Sequence, residues 1–453
     1  MSAQAANAGA VPSYGRLFAI AWPIVLANIA APLLGLIDTA VIGNLGQVAD
    51  LGAIALGSLI FSLIYWGFGF LRMGTTGFTA QAVGADDSAE VRACLARNLV
   101  LGLLLAVIVL ALQWPLIRIV MSIFEASGPV ESGAAAYLQI RIWGMPAALG
   151  LFVICGSLIG QGLSRTLMLI QLVMNGLNIL LDLLFAGVLH WGVEGVALGT
   201  AISEWLAFGL GGWLLVRRLR ASQADAEAFW PWARIRQAAA LAGALRANRD
   251  IMIRTLLMLV CFAWFTNAGA RFGDQVLAAN HVLLQFVTFS AYFLDGFAFA
   301  AESQVGAAYG GRDRQRFDLA VRRSTVWALG TAVALASVLW LCGDALIAGL
   351  TDLAPVRSVA GTYLPWAAAY VALSFAAFQL DGVFIGVTAT PQMRNASVLS
   401  ATGFLAVAIW WSRAAGNTGL WAAFVCYVVF RAAALLLYYP GLRARVVGSE
   451  RVG

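Results

Sequence analysis

The stretch LMLIQLVMNGLNILLDLLFAGVL (residues 167–189) is apolar and long enough to cross a bilayer, yet it keeps Asn175, Asn178 and Asp182 within it. A hydrocarbon core of roughly 30 Å takes about 20 apolar residues in a helix. Side chains four and seven positions apart share one helical face, so the three polar groups form a stripe. Similar runs recur along the whole chain, which is 61% hydrophobic and 11% charged with a mean hydropathy of +0.85. The expected fold is an all-α integral membrane protein.

Charge and composition narrow the class. The net charge is +6, and all 28 basic residues are Arg, most of them between apolar runs. Such residues read as orientation signals rather than as a nucleic-acid-binding face, so no nucleic-acid partner is expected. The absence of Lys removes the GxxxxGK[ST] phosphate loop and with it an ATP-driven pump built on this chain alone. Cys94, Cys155, Cys261, Cys342 and Cys426 stand singly, without a CxxC pair, and only His190 and His281 are present. They read as packing residues and isolated imidazoles, with no disulfide, metal centre or cofactor implied.

The apolar runs predict about twelve spans, near 15–43, 51–82, 98–123, 134–160, 166–190, 193–217, 251–272, 277–306, 319–345, 363–388, 395–412 and 417–439. With the N-terminus inside, Arg16, Arg92, Arg97, Arg165, the clusters 217–254 and 312–323, Arg394 and Arg443 fall on the cytoplasmic side. The opposite side keeps Arg118, Arg271, Arg357 and Arg413. This asymmetry places both termini in the cytoplasm and the chain in the cell's inner (plasma) membrane as a multi-pass protein. The charged stretch 218–250 is read as a cytoplasmic linker, ending in a surface helix, between an N-terminal lobe (1–217) and a C-terminal lobe (251–453).

Weak internal matches make the two lobes homologous. FLRMGTTGFTAQ (70–81) aligns with FLDGFAFAAESQ (293–304), GLSRT (162–166) with GVTAT (386–390), and GVALGT (195–200) with GLWAAF (419–424). Each lobe has an even number of spans, so the two share an orientation and are related by a pseudo-two-fold axis along the membrane normal. A substrate site between them near mid-membrane follows.

Ionisable groups at that depth cost roughly 2.5–3.5 kcal/mol each on insertion scales and normally face a cavity or a partner. In the first lobe these are Asp38 and Asp182, with Asn178, Thr200, Ser203 and Tyr137 as neutral oxygen donors. Two carboxylates, an amide and a hydroxyl make a hard-oxygen set suited to a proton or to Na⁺. The structural alternative is that the Asn residues only join helices. In the second lobe, Asp381 and Glu302 are the remaining acids. Arg72 and Asp295 occupy matched positions in the first alignment, so they are candidates for an ion pair or gate across the lobes. Arg141, one turn after Tyr137, either pairs or snorkels. Pro23 and Pro32 remove backbone donors from the first helix and allow it to bend upstream of Asp38. Met174, with Met73, Met168 and Met252, permits an adaptable apolar pocket, although such residues are as readily core or lipid-facing.

At WPIVLANIAAPLLGLIDTAVIGNLG (22–46) the sequence resembles the multidrug and toxic compound extrusion (MATE) family, and residues 70–84 with 293–306 are similar to its DinF-like branch. The resemblance implies an antiporter in which an H⁺ or Na⁺ gradient drives export of lipophilic, often cationic, compounds by alternating access. It also implies that Asp38, Tyr137, Asn178, Asp182 and Thr200 form the first-lobe coupling site, and that Pro23 is a bending point. The branch with a second-lobe cation site carries an acid on the seventh helix, whereas LLMLVCFAWFTNAG (256–269) has none. Proton coupling in the first lobe is therefore the leading reading, with Na⁺ at Asp38, Asn178, Asp182 and Thr200 as its rival. Three other classes compete. A lipid-linked substrate flippase would show a strongly cationic cavity, a membrane enzyme would need a nucleophile and base, and a channel would conduct without gradient coupling. The expected partners are lipophilic small molecules and membrane lipids, and the chain is read as a monomer.

Overall fold

The computed structural model describes residues 13–45, 48–122, 127–221 and 228–446, without the side chains of 31–45 and 48. Among the described residues the chain is all-helical, with twelve long helices in two six-helix lobes. In the first lobe these are α1 (Tyr14–Leu45), α2 (Val48–Gly67 and Phe70–Gly84), α3 (Ser88–Ala111 and Gln113–Met121), α4 (Gly128–Arg141 and Met145–Gly160), α5 (Ser164–Asp182, with a π turn at Leu183–Val188) and α6 (Gly192–Ala221). The second lobe comprises α7 (Ala238–Ala270), α8 (Asp274–Gly310), α9 (Arg314–Leu350) and α10 (Ala354–Gly386), followed by the run Thr390–Ala444. That run breaks at Ala415 and at Gly416, whose φ of 61° suits a residue without Cβ, giving α11 (390–414) and α12 (417–444).

Ten of the described helical runs are long and apolar enough to span a membrane. Their outer faces are apolar too, with Leu341 79% and Trp410 70% exposed, as lipid contact allows. Helix α1 continues unbroken through the buried Pro23, and Pro32 lies outside the described side chains.

The connection between lobes is shorter than the sequence suggests. Helix α7 begins at Ala238 and runs into the membrane without interruption, so residues 238–250 extend the span instead of forming a surface helix. Ahead of it, a short helix (Trp232–Ile235) docks on α3: Arg234 donates to Asp87 Oδ2 at 2.5 Å, and Arg97 donates to the Arg234 carbonyl. Asp87 also caps α3 by accepting from the Glu90 amide at 3.0 Å. Partial burial opposes ionisation of Asp87, but the bonds from Arg234 and the Glu90 amide hold its carboxyl below the ordinary range.

The lobes meet through reciprocal backbone contacts at the linker end. A Cβ on Gly84 would stand 1.9 Å from the Ala307 carbonyl oxygen, and one on Gly310 would stand 2.0 Å from that of Gln81. Gly160 packs against the Thr76 carbonyl as Gly386 packs against that of Glu302, and Gly156 against Arg72 as Gly382 against Ala298. In every one of these couples the equivalent residues are 226 apart, the reciprocity a two-fold axis demands. The same separation relates Gly162 to Thr388, both at positive φ. The sequence alignment of 70–81 with 293–304 is therefore slipped by three residues, and that of 162–166 with 386–390 by two. Only 195–200 with 419–424 keeps its register, since the positive-φ glycines Gly192 and Gly416 precede α6 and α12 at the same offset. The true counterpart of Arg72 is Ala298, not Asp295.

This crossing closes the linker end. Gln81 adds a bond to the Gly386 carbonyl at 3.0 Å and another to the Thr388 hydroxyl at 3.1 Å. Gly310→Ala has no flexible side chain to push aside and must part the two backbones. We expect it to weaken the closed end by about 1–3 kcal/mol, measured as faster thiol labelling of a cysteine introduced at Ala85 than in the same cysteine variant without the substitution.

Candidate functional site

A cavity of about 1190 Å³ lies between the lobes beyond that seal. Its first-lobe wall includes Asn175 and Asn178 of the α5 stripe, with Asp182 behind Asn178. Asn175, Asn178 and Asp182 are buried, whereas Leu172 and Leu180 on the other face are 50% and 63% exposed. Asn178 Nδ2 donates to Asp182 Oδ2 at 2.9 Å and to Thr200 Oγ1 at 3.2 Å, and Thr200 donates onward to the Val196 carbonyl. Gly199 lets α6 approach, since a Cβ there would stand 2.5 Å from Asp182 Oδ1. Immediately after Asp182 the helix widens into its π turn, a local irregularity that often sits beside functional groups. Asn178, Asp182 and Thr200 are thus brought together.

The other first-lobe candidates distribute differently. Asp38 lies outside the described side chains. Met174 and Asn175 line the cavity, and the buried Asn175 Nδ2 makes no hydrogen bond among the described residues. Ser203 also lines it but directs its proton to the Gly199 carbonyl at 2.7 Å. Tyr137 is buried in the α2–α4 contact, its ring against Gly57, and its hydroxyl group is coupled to Arg141 rather than set on the cavity wall.

Arg141 does not snorkel. It forms a bidentate pair with Glu204 at 2.7 and 2.6 Å and stacks over Phe61 at 4.0 Å. Glu204 escaped the sequence reading although it lies one turn beyond Thr200, on the face already assigned to the cavity.

The expected Arg72–Asp295 pair is absent. Arg72 instead donates to Glu302 Oε2 at 3.2 Å and lies over the Phe299 ring at 3.8 Å, joining α2 of one lobe to α8 of the other. The slipped register explains the error, because three residues displace a helical position by about 4.5 Å along the axis and leave it turned by about 60°. Asp295 lines the same cavity without an ion pair among the described residues. Asp381 is held by two guanidinium groups: Arg431 donates to its Oδ2 at 2.6 Å, and Arg254 to the same oxygen. Arg254 was counted with the linker charges; it lies at the middle of α7 and points into the cavity. Among the described residues the lining therefore sets Arg72, Arg141, Arg254 and Arg431 against Glu204, Asp295, Glu302 and Asp381, which is balanced. Charge alone no longer separates this cavity from that of a flippase.

The MatE family model matches the chain twice, at residues 23–184 and 251–411, once per lobe. The chain belongs to the MatE family. Among its MatE relatives, the DNA damage-inducible protein F of Escherichia coli (strain K12) is 37% identical over 423 residues, covering 92% of this chain and 90% of that protein. A "Probable multidrug resistance protein NorM" of Xylella fastidiosa (strain Temecula1 / ATCC 700964) is 28% identical, covering 96% of this chain and 92% of the relative. A solved structure described as the outward-facing conformation of a multidrug resistance MATE family transporter of the MOP superfamily superposes with a TM-score of 0.85. It is 20% identical and covers 96% of each chain, so it shows the shared MatE fold. The likeness to the DinF branch is thereby shown, and this is a multi-pass membrane protein whose homologues are multidrug transporters.

Proposed function

We propose that this protein is a secondary antiporter of the inner membrane that exports lipophilic compounds in exchange for protons by alternating access. The observation that carries the reading is Asp182, a fully buried carboxylate tied through Asn178 to Thr200 on the wall of a cavity closed at the linker end. A carboxylate so placed changes charge at a cost set by which side of the membrane can reach it, which is what coupling requires. Asp38 on α1 completes the proton carrier, and Pro23 gives that helix its capacity to bend. Arg asymmetry supports a cytoplasmic linker end with both termini inside, so the cavity faces outward in this state. The chain acts as a monomer, and as a transporter rather than an enzyme; the transporter role is in line with its relatives.

Na⁺ is the rival coupling ion, favoured by the Asn178 Oδ1, a carbonyl oxygen with no hydrogen-bond partner among the described residues, beside the Asp182 carboxylate. Liposomes holding the purified protein and a fluorescent lipophilic compound separate the two. Transport driven by a pH gradient at equal Na⁺ is the expected result. Transport driven only by Na⁺ would make the same oxygens a cation cage, and transport indifferent to both gradients would leave the flippase or channel.

A further inference from the structure

Arg254 and Arg431 are not satisfied by the single carboxylate they share. Each guanidinium offers five N–H donors in a fixed plane, yet each makes one hydrogen bond among the described residues, and both go to Oδ2 of Asp381. Arg141, by contrast, spends two donors on two oxygens of Glu204. Both second-lobe guanidinium groups line the 1190 Å³ cavity, whose surrounding wall carries Phe262, Phe299, Tyr292 and Phe378. Arg431 is 8% exposed and Arg254 7%, and both line the cavity, so their remaining donors face its interior rather than the outer surface of the protein.

We propose that Arg254 and Arg431 form an anion subsite of the cavity, which takes the carboxylate, sulfonate or phosphate headgroup of an amphiphile whose apolar body lies along the aromatic wall. Two guanidinium planes converging on one oxygen present the fork geometry that recognises a planar or tetrahedral oxyanion. Asp381 is the built-in occupant of this subsite. It holds the two arginines together when no ligand is bound and competes with the incoming headgroup. Asp295 and Glu302 share the wall, Glu302 being engaged by Arg72, so the cluster is neutral as a whole and favours a single negative charge over two. The same arrangement explains how residues 256–269 of α7 dispense with an acid: the cation opposite Asp381 is part of the chain.

This subsite rests on the reading of the cavity as the substrate's, but its test uses binding without any gradient, so a failure of proton coupling leaves it standing. The probes are a pyrene-labelled alkyl sulfonate, the matched alcohol and the matched trimethylammonium, titrated onto the full chain in phosphatidylcholine nanodiscs after subtraction of empty discs. The sulfonate should bind about tenfold tighter than the alcohol, the size expected of charge-assisted hydrogen bonds. Arg431→Gln should remove that difference while leaving the alcohol unchanged. Asp381→Asn should act in the opposite direction and tighten sulfonate binding several-fold, because it removes the competitor; this sign decides the matter even where Arg431→Gln does not fold. Sulfonate binding no tighter than that of the alcohol or the trimethylammonium, or weakened by Asp381→Asn, would overturn the subsite. Discs containing phosphatidylglycerol then identify the source: loss of sulfonate binding points to a lipid headgroup in the subsite, and retention points to a free amphiphilic anion.

Discussion

Asp182→Asn is expected to reduce gradient-driven transport to the leak of protein-free liposomes while the protein still inserts and folds. The substitution keeps the size of the side chain and leaves an oxygen for the Asn178 amide, which now donates to Asp182 Oδ2 at 2.9 Å. Removing a carboxylate from the middle of a span also lowers the cost of insertion, which runs at roughly 2.5–3.5 kcal/mol for a charged Asp. What is lost is the ability of the site to change charge. The readout is the initial transport rate under an imposed pH gradient, compared with expression level and thermal unfolding of the same preparation. Full transport by a folded Asp182→Asn protein would remove this residue from coupling and leave Asp38 to act through other partners. Thr200→Val is the companion variant: it removes the oxygen that accepts from Asn178 at 3.2 Å and should slow transport by about fivefold to tenfold, the loss of one hydrogen bond of about 1 kcal/mol or slightly more.

The stripe on α5 was legible because helical periodicity needs only the sequence: residues four and seven apart must share a face wherever the helix lies. The spans were legible for the same reason, each being a local pattern of apolar residues. Partners between helices were not local, and there the reading divided. Asn178 and Thr200 meet, as proposed, since both lie on faces that the lobe buries. Arg72 was assigned to Asp295 through an alignment resting on Phe70, Leu71 and Gln81, and such identities are cheap in a membrane protein built from few residue types. The glycines held the correct register, because Gly84 and Gly310 each face a carbonyl that leaves no room for Cβ. Glu204 was missed because its partner Arg141 is 63 residues away and no local pattern joins them, and Arg254 because LRANRDIMIRT (245–255) continues the charge pattern of the linker. The N-terminal extension of α7 back to Ala238 puts that arginine at the middle of its helix, a consequence of tertiary packing that no local pattern displays.

Reversing Arg72 to Glu should be among the most damaging single changes outside the α5 stripe, and reversing Glu302 to Arg with it should restore much of the loss. Arg72 and Glu302 are 9% and 1% exposed and form an ion pair at 3.2 Å between α2 and α8. Breaking a buried pair from one side leaves an uncompensated charge and costs about 3–5 kcal/mol. The Glu substitution adds a second carboxylate facing the first and also forfeits the stacking on Phe299. The double reversal recreates the pair but sets its guanidinium on α8, away from that ring, so rescue of unfolding temperature and transport should be partial. Arg72→Glu with Asp295→Arg is the control, and it should not rescue. Equal rescue by the two double reversals would mean that the cavity senses only summed charge, whereas rescue by Glu302 alone ties the effect to this contact. Because the pair joins the lobes beside the glycine crossing, the alternating access proposed above requires it to break as the linker end opens. Glu302→Gln, which keeps a weaker bond to Arg72 and removes the charge, should therefore speed thiol labelling at position 85 without the fold defect of the reversal.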